Sequence, residues 1–257
     1  ITDSLVGSEM CIRDSIEREV DMPNWCNNNI TISGPKEKLE SLSKAAEAGE
    51  LFNFMYPRSK DLDITAGSLG SDTCPEQIEL VKKENANLEK HGFKNWYDWS
   101  VANWGTKWDV SECYANEIND NTLTLAFDTA WGPALGAYEH YTRHNNDISI
   151  KGYYYEPGMD FMGCWQDGFD EFYQLSDVPD KDLEGQLSEF DDLYGILESR
   201  HQYRDELIED GRYDDAKEWL MNHAQMSQDD AEDYINEHRI DTVSYTHLRA
   251  HETVSDR

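Results

Sequence analysis

Positive charge is what this 257-residue chain most lacks: 22 Lys and Arg stand against 53 Asp and Glu, for a formal net charge of −31. A nucleic-acid-binding surface needs clustered Lys and Arg along the phosphate path, so direct nucleic-acid binding is not expected. The acidity is uneven, with 24 acidic against 12 basic residues over 22–175 and 21 against 6 over 176–241. Long apolar runs are missing as well. No stretch approaches the roughly 18 residues of a membrane span, so no membrane partner is expected and the chain reads as soluble. Cysteine is sparse. Beyond Cys11 there are Cys26, Cys74, Cys113 and Cys164, none within four residues of another, which removes zinc and iron–sulfur spacings and reads as free thiols in a reducing cytoplasm. There is no nucleophile elbow, kinase motif set or dinucleotide fingerprint, and the Gly67–Asp72 loop, GSLGSD, lacks the Lys-Ser/Thr of a phosphate-cradling loop. No cofactor is expected.

What is present is aromatic. The stretch Asn95–Val110, NWYDWSVANWGTKWDV, holds four of the eight tryptophans, Trp96, Trp99, Trp104 and Trp108, around Lys107. Read as a helix to about Trp104, it places Tyr97, Val101 and Trp104 on one face and Trp96, Trp99 and Asn103 on another. A helix apolar on two sides lies between layers or lines a pocket.

In chain order, Ile30 and Ile32 alternate with polar residues up to Gly34-Pro35, and Leu39, Leu42 and Ala46 then recur at helical spacing. Pro75 opens a helix with Ile78, Val81 and Leu88 on one face, closed by Gly92. Tyr114–Asn119 and Thr122–Thr129 flank the turn pair Asp120-Asn121 as a hairpin, with Leu123, Leu125 and Phe127 alternating. Gly132-Pro133 opens a helix to about His144, with Leu135 and Tyr138 inward, and Ile148–Tyr155 is a further strand. Turns at Glu156-Pro157-Gly158 and Asp167-Gly168 add two antiparallel strands. Strand, helix, insertion, strand, strand, helix, strand is the split βαβ plan of a ferredoxin-like α+β fold, here with a Trp-rich helical insertion at about 50–112. Two helices cover one sheet face. The other, carrying Tyr153, Tyr155 and Trp165, needs a cover, and the tryptophan-rich segment is expected to lie across it.

Beyond this domain, 22–175, the region 176–241 reads as acidic helices over Leu187–Leu197, Tyr213–Met221 and Asp229–Ile240, a solvated appendage on the domain. Ser4–Asp14 and Val243–Thr253 resemble translated sequencing-adapter peptides of metagenomic origin, so 1–21 and 242–257 are expected to be a non-native leader and tail around a natural start at Met22.

Five motifs carry a family resemblance: MPNWCNNNITISGP from Met22, FNFMYPR from Phe52, WYDWSVANWGTKWDV from Trp96, FDTAWGP from Phe127 and YEPGMDFMGCWQDG from Tyr155. Together and in this order, over Met22 to about Leu175, they resemble the YubB-type ferredoxin-like domain family of phages and plasmids. The resemblance implies a ferredoxin-like domain on a bacterial mobile element, in the host cytoplasm. It implies no activity.

The candidate site follows from residue types. Trp25, Asn27, Asn28, Tyr97, Trp99, Trp104, Lys107, Trp131 and Trp165 combine stacking surfaces, amide hydrogen-bonders and one cation, the composition of a pocket for a planar or anionic small ligand. The plainer reading is a buried aromatic core, with Lys107 held by cation–π contact. A binding module for such a ligand or for a protein partner is the preferred function. One alternative is an acidic DNA mimic or anti-defence protein that binds a host nucleic-acid-binding protein. The other is an enzyme using Asp98, Asp109 or Asp128. Asp128, Asp160, Asp167 and Asp170 near strand ends read as turn residues rather than a carboxylate site. His140 and His144 have the i, i+4 spacing of zinc helices but lack the intervening glutamate of the hydrolytic motif, so no metal is expected.

Overall fold

The computed structural model describes residues 23–239; the adapter-like leader and tail lie outside them. The fold is α+β, built on a six-stranded antiparallel sheet in the order β2-β3-β1-β4-β5-β6. The strands are β1 (Trp25–Ser33), β2 (Cys113–Ile118), β3 (Thr122–Ala130), β4 (Ser149–Glu156), β5 (Phe161–Gln166) and β6 (Phe169–Gln174). Helices α1 (Lys36–Glu47), α2 (Leu51–Met55), α3 (Pro75–His91) and α4 (Trp96–Asn103) lie between β1 and β2, and α5 (Leu135–His144) between β3 and β4. After β6 come α6 (Asp180–Leu183), α7 (Ser188–Tyr194), α8 (Ile196–Glu209) and α9 (Tyr213–His223), and 228–239 is helical as α10.

Period-two alternation decides which residues face the principal core. Ile30 pairs with Leu125 on one side and Gly152 on the other, so Ile30, Ile32, Leu123, Leu125, Phe127 and Ile150 share one face. Leu39, Leu42 and Ala46 of α1 and Ala137, Tyr138 and Tyr141 of α5 close over it. Burial of the Ile, Leu and Phe side chains is worth roughly 1.5–3 kcal/mol each before chain entropy opposes it.

The tryptophan-rich insertion joins this same core. Trp99, Trp104 and Val110 are buried with Phe52, Met55 and Tyr138 on the helix-covered side, so the expectation that the insertion crosses the opposite sheet face is overturned. Within α4 the inward residues are Trp99 and Ser100, while Tyr97 and Val101 are exposed, which separates the expected row of Tyr97, Val101 and Trp104. The reason is local. Asn95 caps the helix by accepting from the backbone amides of Tyr97 and Asp98, and Trp104 keeps the helical register at its end, its amide donating to the Ser100 carbonyl at 2.8 Å, so it shares the inward face of Ser100 four residues earlier.

The opposite face is covered by the acidic region instead. Tyr153, Tyr155, Met162, Cys164 and Tyr173 pack against Leu183, Leu187, Phe190 and Ile196, with Tyr155 stacked on Tyr194 at 5.2 Å. Trp165 is not among them: it pairs with Gly152 and lies on the helix-covered face, 5.8 Å from the Tyr138 ring, because a residue opposite Gly152 must share its side of the pleat. Arg200 of α8 anchors the cover, donating to the carbonyls of Val178 and Leu175 and to the buried Asp180 carboxylate at 2.6–2.9 Å. The chain then forms a third cluster, in which Leu207, Ala216, Trp219, Leu220, Ala231 and Ile235 join α8, α9 and α10. Among the described residues no helix is long and apolar enough to cross a membrane.

The face expected for α3 is also overturned. Ile78, Val81 and Leu88 are exposed, and Gln77, Leu80 and Asn87 point inward. The Asn87 amide donates to the carbonyls of Asp61 and Lys94, and the Gln77 side-chain oxygen accepts from the Leu69 amide. Docking through loop backbone groups, which must find partners once buried, outweighs the apolar pattern here.

Candidate functional site

The nine residues singled out from sequence do not meet in one cavity. Trp99, Trp104 and Trp165 are core. Asn28 is buried, its amide donating to the carbonyls of Cys26 and Phe127 and to the Thr129 hydroxyl. Asn27 projects to the other sheet face and donates to Asp128 at 2.6 Å, where the Tyr114 hydroxyl also donates. Trp131 is exposed with φ of 71°, and its amide donates to the Asn24 carbonyl. Trp25, Tyr97 and Lys107 gather at one end of the sheet. There the 104–108 loop is tied down by the Thr106 hydroxyl, which donates to the Ala130 carbonyl at 3.0 Å, and Trp108 lies 6.3 Å from Trp25.

Beside that end is a cavity of about 360 Å³, within the range of small-molecule sites. Its walls include Trp96, Trp104, Lys107, Trp108 and Asp109 from the tryptophan-rich stretch and Arg58 and Lys60 from the segment after α2. Only Trp104 and Lys107 of the nine expected residues line it.

The charges in the cavity are arranged unequally. Arg58 is committed: its guanidinium donates to Asp63 at 2.8 Å and to the Ser100 hydroxyl at 2.8 Å, and stands 5.1 Å from the Trp104 ring centre. Asp109 is committed too. Its oxygens accept from the backbone amides of Phe52, Asn53 and Val110, each at 2.8 Å. Burial pushes its pKa above the ordinary carboxylate value, with those three amides pulling the other way. Lys60 and Lys107, by contrast, have no carboxylate within ion-pair distance among the described residues; Lys107 rests over Trp108 at 4.2 Å and Tyr97 at 5.6 Å. Glu50 and Asp63 also line the cavity, Asp63 held by Arg58 and Glu50 in no ion pair among the described residues, so two unpaired ammonium groups and one unpaired carboxylate stand among the indole rings.

No Ser, Thr, Cys or His is among the described residues that line the cavity; its ionisable side chains are carboxylates, lysines and one arginine. Asp98 is exposed on α4 and Asp128 lies on the far sheet face. The four strand-end carboxylates serve separate partners: Asp128 accepts from Asn27 and Tyr114, Asp160 holds Ser176, Asp167 holds Ser149 and the Ile150 amide, and Asp170 accepts from Tyr154.

No family model and no curated protein matches the chain. Among solved structures it is similar to a crystal structure of the protein api92 from Yersinia pseudotuberculosis, assigned to family model DUF1281, at 11% identity over 60% of this chain and 98% of that one, with a TM-score of 0.32. A likeness at that level carries no argument about function.

Proposed function

We propose that the protein is a non-catalytic binding module that takes a planar, anionic small molecule into the cavity between Arg58, Lys60, Trp96, Trp104, Lys107 and Trp108. The observation that carries this reading is the placement of Lys107 on the Trp108 face without an ion pair, with Lys60, likewise in no ion pair among the described residues, lining the same cavity, so that the two outnumber its one unpaired carboxylate, Glu50. An indole supplies stacking area and an ammonium supplies charge, and neither is spent on an internal ion pair. A thermal-shift panel of nucleoside monophosphates and aromatic carboxylates tests it, with Lys107→Ala as the variant that keeps the fold and loses the shift.

In this reading the platform beneath the site is a ferredoxin-like domain of YubB type carried by a phage or plasmid. The order β2-β3-β1-β4, antiparallel throughout, with α1 and α5 on one face, supports the ferredoxin-like part.

A second reading concerns the acidic region. Glu198, Asp205, Glu206 and Glu209 line one open depression along α8, a surface suited to a basic site on a nucleic-acid-binding protein. Salt-sensitive competition with DNA for such a protein is its test; absence of competition removes it.

A further inference from the structure

The tryptophan cavity leaves unused a pair of histidines on α5, and the geometry points to a divalent transition-metal site there: we propose that His140 and His144 together bind Zn²⁺ or Ni²⁺ through their Nε2 atoms. Spacing alone gave no reason to prefer this over two solvated side chains. Four structural observations do.

The rings are adjacent, with centroids 4.2 Å apart. Each Nδ1 faces a backbone carbonyl, His140 toward Met55 at 3.0 Å and His144 toward His140 at 2.7 Å. A carbonyl only accepts, so Nδ1 carries the hydrogen in both rings and the lone pair is left on Nε2. This is the arrangement in which an outer hydrogen bond fixes the tautomer and orientation of a metal-ligating imidazole. Tyr56 then holds the His140 ring by stacking at 3.7 Å and 3°, and is itself fixed, donating its hydroxyl to Asn103 and accepting from the Trp104 indole at its carbonyl. Finally, both histidines lie in the C-terminal half of α5, where the helix dipole favours a cation.

Among the described residues no group of three or more His, Cys, Asp or Glu side chains converges on a metal position. The site is therefore a two-imidazole one completed by water, open and exchangeable. Imidazole pairs select zinc, nickel and copper over magnesium and calcium, which take oxygen ligands.

The test uses the full chain carrying His247→Gln and His251→Gln, since that pair shares the i, i+4 spacing. Ni²⁺, Zn²⁺ and Mg²⁺ are titrated by calorimetry. The proposal expects one Ni²⁺ or Zn²⁺ per chain, no Mg²⁺, and a loss of affinity on the order of tenfold or more in the additional variant His144→Gln, whose side chain is exposed. Zn²⁺ should also shift the NMR signals of His140 and His144 ahead of those of His91, His201, His223 and His238. Binding of equal strength with and without His144, absence of Ni²⁺ and Zn²⁺ binding, or Mg²⁺ bound as tightly as Ni²⁺ would each overturn it.

Discussion

The Lys107 ammonium lies 4.2 Å from the centre of the Trp108 ring and pairs with no carboxylate among the described residues. In a chain with 53 acidic residues that isolation is informative. A lysine held by a carboxylate presents a neutral pair to a ligand; one held by a ring keeps its charge available while its position is restrained. Exposed cation–π contact of this kind is worth about 0.5–1 kcal/mol, enough to orient the side chain and too little to make it structural.

Trp104 is the opposite case. It is almost fully buried, donates its indole N–H to the Tyr56 carbonyl at 2.9 Å, and packs against Phe52 and Trp99. Trp104→Ala removes that volume and orphans the carbonyl, so calorimetry should show a destabilisation of about 3–5 kcal/mol and a Tm lowered by several degrees. A loss below about 1 kcal/mol would show that the ring is not core.

Gly105 is required by two separate constraints. Its φ is +97°, and a Cβ there would lie 2.8 Å from the Pro133 carbonyl oxygen, a backbone atom that cannot swing away. Gly105→Ala should destabilise by about 1–3 kcal/mol and displace the 104–108 loop, read as a change in Trp108 fluorescence alongside the melting curve. A variant with native Tm and emission would contradict the loop geometry.

Arg200 is nearly buried, at 9% exposure, and serves three acceptors, including Asp180. Removing one partner of a buried pair leaves an unpaired charge, at a cost of about 3–5 kcal/mol. Arg200→Ala should therefore release the cover from Tyr153, Tyr155 and Met162 and admit protease between 176 and 200. Proteolysis as slow as in the native chain would mean that the apolar contacts of Phe190 and Ile196 hold the cover without the arginine.

How much of this was legible in the sequence depends on the kind of signal. Ile30 and Ile32, Leu123 with Leu125 and Phe127, and Leu39 with Leu42 and Ala46 lie in the core because alternation and helical spacing report burial directly. The same signal misplaced α3, where Asn87 and Gln77 face inward to satisfy loop backbone groups many residues away. It also misplaced Trp165, since the side of the pleat it occupies follows from its register with Gly152, which no local pattern states. Lys60, Arg58, Trp96 and Trp108 of the cavity were not among the expected site residues. The FNFMYPR motif did contain Arg58, and in a region with 12 basic residues over 22–175 the closeness of Arg58 and Lys60 was the available clue. What sequence could not supply is that α2 folds back, so that Asp109 holds the amides of Phe52 and Asn53 and brings Arg58 and Lys60 beside Lys107.

The thiols give a pH-dependent prediction. Burial disfavours the thiolate and pushes Cys26 up to about 12 and Cys113 up to about 11. At pH 8 the thiolate of Cys26 is then on the order of one part in ten thousand, and reaction proceeds through thiolate. In a Cys11→Ser background, Cys74 should be alkylated first and Cys26 only after unfolding. Cys113 labelling should accelerate by about tenfold per pH unit below its pKa. Rapid native-state alkylation of Cys26 at pH 8 would contradict the packing of β1.

The most direct test of the binding module is calorimetric titration of nucleoside monophosphates and aromatic carboxylates into the native chain, Lys107→Ala and Lys60→Ala, with Tm measured for each. The account predicts saturable one-site binding to the native chain, lost in Lys107→Ala and weakened in Lys60→Ala, while both variants melt within about 1 kcal/mol of native stability. Binding that survives Lys107→Ala unchanged, or a native chain that takes up none of these ligands, would contradict it.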